Sequence, residues 1–259
     1  MRRYWILIGT GVLLLGSTTR PAAGQEPERA AAAAEPRWNA TVDLAFSGSG
    51  GNQRIVVFDT GFRVAHLRTD LFELEWTGRS RYGRSDDREV ARNMRGGMKF
   101  DLYPTAEWSP FVFTTAERDP FRQLAVRASG GMGMKRTLWR AEVGAASISL
   151  AALYSYEDYD GPGTALDPAF QQNGRMSWRF RGQRRFSSDL QMEHTFFYQP
   201  IWDRPADYLA DTQTALRVRL GEGASITVSH NFERDATPRP GVRRDDHLVK
   251  AGVTFQTRW

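Results

Sequence analysis

The chain has 259 residues, 41% of them hydrophobic and 25% charged, with a mean hydropathy of −0.52, which excludes a bundle of membrane helices and suits one large all-β unit or two ordinary domains. Removing residues 1–24 takes away Arg2, Arg3 and Arg20 and no acid, so 35 bases fall to 32 against 30 acids and the formal charge drops from +5 to +2. That excess is too small to argue for nucleic acid, and the lack of cysteine excludes disulfides and a cysteine-linked lipid anchor.

Residues 1–24, "MRRYWILIGTGVLLLGSTTRPAAG", combine two arginines, an apolar run from Tyr4 to about Leu15, and the small residues Ala22 and Gly24 before Gln25. This is the pattern of a cleaved secretory signal peptide, too short and too basic on one flank for a spanning helix. Residues 25–37 are Ala-rich, charged and bracketed by Pro27 and Pro36, with no apolar face to bury, and read as a short disordered periplasmic tether. The domain expected from 38 to 259 changes character at once.

From Trp38 onward, period-2 segments follow one another with turn signals between them. The first sets Trp38, Ala40, Val42, Leu44 and Phe46 against Asn39, Thr41, Asp43 and Ser47, and "GSGGNQ" turns the chain. The second sets Val56, Phe58, Phe62 and Val64 against Asp59 and Arg63. In the third, Phe72, Leu74, Trp76 and Tyr82 share one face, while Glu73, Glu75, Arg79 and Arg81 share the other. The fourth opposes Met94, Met98, Phe100 and Leu102 to Asn93, Arg95, Lys99 and Asp101. "WSPFVF" leads into "TTAERDPF" as the fifth, and the sixth carries Leu124, Val126, Ala128, Met132 and Met134.

The seventh reads as one long strand from about Leu138 to Tyr156, whose apolar phase switches from Trp139, Ala141 and Val143 to Ile148, Leu150 and Tyr154. A bulge near Ala145 or Ala146 accounts for the switch. The eighth opposes Met176, Trp178 and Phe180 to Arg175, Arg179 and Arg181, and the ninth Leu190, Met192 and Phe196 to Gln191, Glu193 and Gln199. The tenth alternates Leu216 and Val218 with Asp211, Arg217 and Arg219, the eleventh Ile226, Val228 and Phe232 with Thr227, Asn231 and Glu233. The last, "HLVKAGVTFQTRW", ends on an aromatic in phase with its apolar face. About twelve strands result, an even number.

Connections add a second signal. "LRTD", "YPTAE", "KRT", "QRRFSS" and "GEGA" follow the even strands and are short, whereas most of the others, including "DYDGPGTALDPAFQQ" and "RDATPRPGVRRD", are longer and rich in charge, Gly and Pro. In outer-membrane barrels the short turns are periplasmic, so both termini are expected on that side.

Alternation fits a soluble sandwich as well as a membrane barrel, because it does not say which face is wet. Three features favour the barrel: strands of about ten residues, long enough for a tilted bilayer crossing; aromatics such as Trp38, Phe72, Tyr82, Phe100, Trp178 and Tyr198 near strand ends; and the terminal aromatic. The expected fold is therefore an all-β, transmembrane, antiparallel up-and-down β-barrel of about twelve strands, integral to the cell outer membrane.

The stretches "SGSGGN", "TTAERDPFRQLAVRASGGMG", "YSYEDYD", "FYQPIWD" and "HNFERDATPRPGVRRDDHLVKAGVTF" resemble the YdiY-like family, described as salt-induced outer membrane proteins with a domain of unknown function. The resemblance runs from about Trp38 to Trp259, with "ERDPF" and the closing segment its most specific pieces. It implies an outer-membrane barrel and carries no catalytic residue over to this chain.

Little in the sequence points to an enzyme, a cofactor or a metal. His66, His194, His230 and His247 are scattered on or near the apolar face. Ser229 and His230 are neighbours on a strand and point to opposite sides, so they cannot pair as nucleophile and base. Acidic loops around Asp86 and Asp87, Asp158 and Asp160, and Asp245 and Asp246 read as solvated, and the Gly-rich runs lack phosphate-loop spacing.

Chemistry concentrates instead on the expected lumen: Arg79, Arg81, Arg95, Lys99, Arg175, Arg179, Arg217 and Arg219, faced by Glu73, Glu75, Asp211 and Glu193, with further cations at Arg63, Arg127, Arg181, Lys250 and Arg258 and further acids at Asp59, Asp101, Glu142 and Glu233. Cations are in excess, so a water-filled interior favours small anions, whereas full pairing makes a closed, rigid network. The expected function is structural or a narrow small-solute passage, the alternative a lipid-modifying outer-membrane hydrolase with a Ser/His pair on adjacent strands. Expected partners are outer-membrane lipid, lipopolysaccharide and the barrel-assembly machinery, which Phe255 and Trp259 of the last strand would signal.

Overall fold

The computed structural model describes residues 37–49, 55–68, 70–86, 88–161 and 168–259, with backbone alone at 48, 49 and 258. The expected signal peptide and the tether up to residue 36 lie outside them. Twelve strands follow in chain order: β1 (Arg37–Ser49), β2 (Ile55–Arg68), β3 (Phe72–Ser85), β4 (Arg88–Leu102), β5 (Trp108–Asp119), β6 (Leu124–Ala141), β7 (Gly144–Tyr159), β8 (Phe170–Arg185), β9 (Leu190–Pro200), β10 (Tyr208–Gly221), β11 (Ala224–Asp235) and β12 (Asp245–Arg258).

Each strand pairs antiparallel with its neighbours in sequence, and β1 pairs with β12 to close the barrel. The seam runs through Ala40↔Thr257, Val42↔Phe255 and Leu44↔Val253. Backbone bonds between Trp38 and Trp259, of 2.9 and 3.2 Å, extend it to the last residue. Closure leaves no edge strand to pair with another chain.

The alternation seen in sequence resolves into an inverted polarity. Asp59 and Arg81 are buried inside at 6% and 3% exposure, while Phe58 and Tyr82, their neighbours along the same strands, stand 45% and 43% exposed on the outer wall. The pattern repeats around the barrel, with Met132, Trp178, Val228 and Phe255 outward and Ser129, Arg175, Ser229 and Thr254 inward. A soluble sandwich would do the opposite. An apolar belt around a polar interior requires lipid outside, because water against that wall would cost about 25 cal/mol per Å² of apolar surface.

Aromatics gather near the strand ends. At the end holding the termini, Trp38 stacks on Trp76 at 6.2 Å and Phe72 meets Phe100 at 5.4 Å; at the far end Tyr198 meets Tyr208 at 5.2 Å. Turns at the termini end span two to five residues, and those at the far end reach ten. Gly133 on β6 illustrates a local need for glycine: a Cβ there would lie 2.3 Å from the Leu150 carbonyl oxygen of β7.

The β6–β7 region corrects the sequence reading. Lys135, Arg136 and Thr137 belong to β6, and the turn is the two-residue Glu142–Val143, so the expected single strand from Leu138 to Tyr156 is the end of one strand and most of the next. The register shift lies between Thr137 and Trp139, not at Ala145 or Ala146. An extra residue there puts Leu138 and Trp139 both outward, at 50% and 45% exposure. The two-residue turn then pairs Trp139 with Ala146, which moves the outward face from odd to even positions and is the phase switch visible in sequence. Glu142, expected in the lumen, is exposed in the turn.

Candidate functional site

Apart from the register shifts, alternate side chains of the strands face the lumen, and many of the charged ones pair with neighbours across and along the wall. Arg63 of β2 donates to Glu73 at 2.9 Å and to Glu75 of β3 at 2.7 Å. Arg81 donates to Asp59 through Nε and Nη2 at 2.9 and 2.7 Å. Lys99 grips both oxygens of Asp101, Arg181 pairs with Glu193, and Glu157 gathers Arg127 at 3.1 Å, Arg175 at 3.6 Å and the Tyr159 hydroxyl. These charge-assisted bonds offset the desolvation of groups held away from bulk water.

The lumen is nevertheless hollow. One cavity of about 300 Å³ occupies its middle and far part, and a second of about 250 Å³ lies towards the termini end. Glu75, Lys99 and Arg179 line both and so mark the neck between them. Glu75 is neutralised by Arg63 and Lys99 by Asp101. Arg179 makes no ion pair with a described residue, and its guanidinium lies 5.8 Å from the Phe197 ring centre. The neck is left with net positive charge.

At the far mouth the 3-10 turn Pro120–Arg122 folds inward. Asp119 caps it by accepting from the Phe121 amide at 3.0 Å, and Asn93 donates to the same carboxylate at 3.2 Å. Gln123 leaves the turn in the left-handed region, at φ 57°. Arg122 then reaches Glu233 at 3.1 Å and Asp235 at 3.8 Å on β11. In the ring of twelve, β5 and β11 stand opposite each other, so this ion pair crosses the mouth. Burial alone would lower the Arg122 pKa, but Glu233 and Glu117 outweigh it and raise it above the usual value.

Two further connections join that turn. Gln123 donates to the Pro240 carbonyl at 3.3 Å and accepts from the Asp160 amide at 2.8 Å. Arg239 stacks on Tyr159 at 4.6 Å. The 3-10 turn, Asp160 just after β7 and the β11–β12 connection thus meet as a strap over the far end of the larger cavity.

The residues expected in the lumen are distributed among these features. Glu75, Arg79, Arg95, Lys99, Arg175, Arg179 and Asp211 line the larger cavity, and Glu73 the smaller. Arg81 and Glu193 are spent in buried pairs. Arg217 buries Nε and Nη2 without a hydrogen-bond partner, and Arg219 is exposed next to a register shift at the termini end. The Arg258 side chain lies outside the described residues. Arg122 and Asp119 were not anticipated; the signal for them is "ERDPF", where an Asp-Pro step ends the alternation of β5.

Histidines stay on the outer wall. His66 packs on Trp38, His194 bonds Thr214 at 2.9 Å, and His230 lies 3.4 Å from His247. Ser229 is buried on the inner side, away from His230. Among the described residues no serine hydrogen bonds a histidine, and no three His, Asp or Glu side chains group as a metal site would require.

Solved structures similar to the chain include outer-membrane porins and channels. The NanC porin matches at a TM-score of 0.52 and 9% identity, over 84% of this chain and 98% of that one. An outer membrane channel from Pseudomonas putida F1 matches at 0.47 and 9%, over 86% and 95%, and the KdgM porin at 0.45 and 9%, over 84% and 98%. At such identities the likeness is one of fold. No curated protein matches the sequence. One family profile does, over residues 42–256; its description is "Protein of unknown function, DUF481".

Proposed function

The chain belongs to the DUF481 family, whose function is unknown, and we propose from the lumen itself that it is a narrow passage for small anionic solutes across the outer membrane. The observation that carries this reading is the neck, where Arg179 adds a positive charge unmatched by an ion pair to the balanced Glu75 and Lys99. A charged ring at a constriction selects by sign, since the local dielectric is low and few waters shield a passing ion.

Short turns at the termini end support placing both termini in the periplasm after removal of the signal peptide. The exposed apolar wall fits lipid and, towards the long connections, lipopolysaccharide. Phe255, outward on the closing strand, and the exposed Trp259 just after it suit recognition by the barrel-assembly machinery. The YdiY-like, salt-induced label is consistent with an osmotic role for the passage.

The test is conductance of the purified protein in planar bilayers, with Arg179→Glu as the variant. Discrete current steps whose anion preference falls or reverses in Arg179→Glu are expected. Selectivity identical in the two proteins would overturn the reading.

A further inference from the structure

Arg79 of β3 and Arg95 of β4 are register partners, and both line the larger cavity. Like charges set directly opposite on one face destabilise a strand pair, so a sheet that keeps two guanidinia there needs compensation. The described residues supply it only in part. Arg95 comes no closer than 4.0 Å to Glu117, and that carboxylate also faces Arg127 at 3.7 Å. Arg79 makes no ion pair or hydrogen bond with a described residue.

The other carboxylates of that part of the cavity, Asp211 and Glu233, do not fill the gap. Asp211 keeps both oxygens buried without a hydrogen-bond partner, so it bonds neither arginine. Glu233, on the same strand pair as Asp211, is engaged by Arg122. Beside the arginines the wall is bare: Gly97 takes the next inward position on β4 after Arg95. A Cβ there would press to 3.2 Å on the Thr114 carbonyl oxygen, so a larger side chain is disfavoured. Two guanidinia, each with planar N–H donors, therefore look onto open space of about 300 Å³.

We propose that Arg79 and Arg95 form a seat for a small oxyanion, the carboxylate or phosphate group of a solute that this cavity can hold. Guanidinium forks match two oxygens of one group, which a spherical halide cannot offer. Through the route by which the solute arrives, the seat rests on the passage proposed above; its occupancy can be read separately.

Inorganic phosphate is the probe, and Arg79→Gln/Arg95→Gln the variant, accepted only if it keeps the heat-modifiable mobility of a folded barrel. In bilayers, phosphate is expected to block the chloride current of the wild type saturably, with a half-blocking concentration raised by about tenfold or more in the variant. In detergent at fixed ionic strength, phosphate is expected to raise the unfolding temperature of the wild type and not of the variant. Equal block and equal stabilisation in the two proteins, or no phosphate effect on the wild type, would overturn the seat. A wild type stabilised by phosphate that carries no current would overturn the passage and uphold the seat.

Discussion

Arg81 and Asp59 show how far a single residue pair carries the fold. Both are nearly closed off from solvent, and two bonds of 2.7 and 2.9 Å join them between β2 and β3. Removing one partner strands the other as a buried charge, so Arg81→Ala is expected to cost about 3–5 kcal/mol, and Arg81→Ala/Asp59→Ala less than the sum of the single changes. Reversible denaturant unfolding into lipid vesicles measures both. Parity along a strand set the charged residues on the face opposite the apolar one, but it misplaced Glu142, which sits in a turn, and Arg219, which is exposed at the termini end. Their pairing was not legible, because Arg63 meets Glu75 and Arg122 meets Glu233 only once hairpin registers and the ring order are fixed. That is why Arg79 and Arg179 could not be told apart from the spent Arg81 before the structure was known.

At the scale of elements, the 3-10 turn, Asp160 and the β11–β12 connection form the strap across the far mouth. Arg122→Ala removes the crossing ion pair, and a larger single-channel conductance is expected; an unchanged conductance would show that the strap does not restrict flow. The pH dependence follows from the sign of the shift. A raised Arg122 pKa means that its contribution is present below the unfolded value and is lost only as pH climbs past the folded one. Strap-dependent conductance is therefore expected to stay constant between about pH 7 and about pH 9. Elements were mostly legible because most strands alternate along most of their length. β6 and β7 were not, since a two-residue turn leaves no Gly or Pro signature at Glu142–Val143 and a bulge at Leu138 shifts the phase just before it. "ERDPF" was visible as a motif, but nothing local to it revealed a partner on the opposite wall.

For the whole molecule, about twelve strands followed from the count of alternating segments and the barrel from strand length, strand-end aromatics and the terminal aromatic, whereas period alone could not say which face was wet. The structure puts the apolar face outside, and that gives a further expectation. Val228→Arg on the outer wall is expected to cost about 2–4 kcal/mol of stability in vesicles if it lies near the bilayer midplane. Ser229→Ala, one residue away but inward, is expected to change it little, since the Ser229 hydroxyl has no hydrogen-bond partner to lose. What an inside-out barrel does depends on the balance of its lumen, where most charges cancel in pairs and, among the described residues, the cations without an ion pair, Arg79, Arg179, Arg217 and Lys250, outnumber the acids without one, Asp43 and Asp211. The most direct measurement is the reversal potential of the wild-type barrel across a potassium chloride gradient in a planar bilayer. A potential with the sign of chloride preference is predicted, and a cation-selective potential, or a membrane that stays silent, would contradict the account.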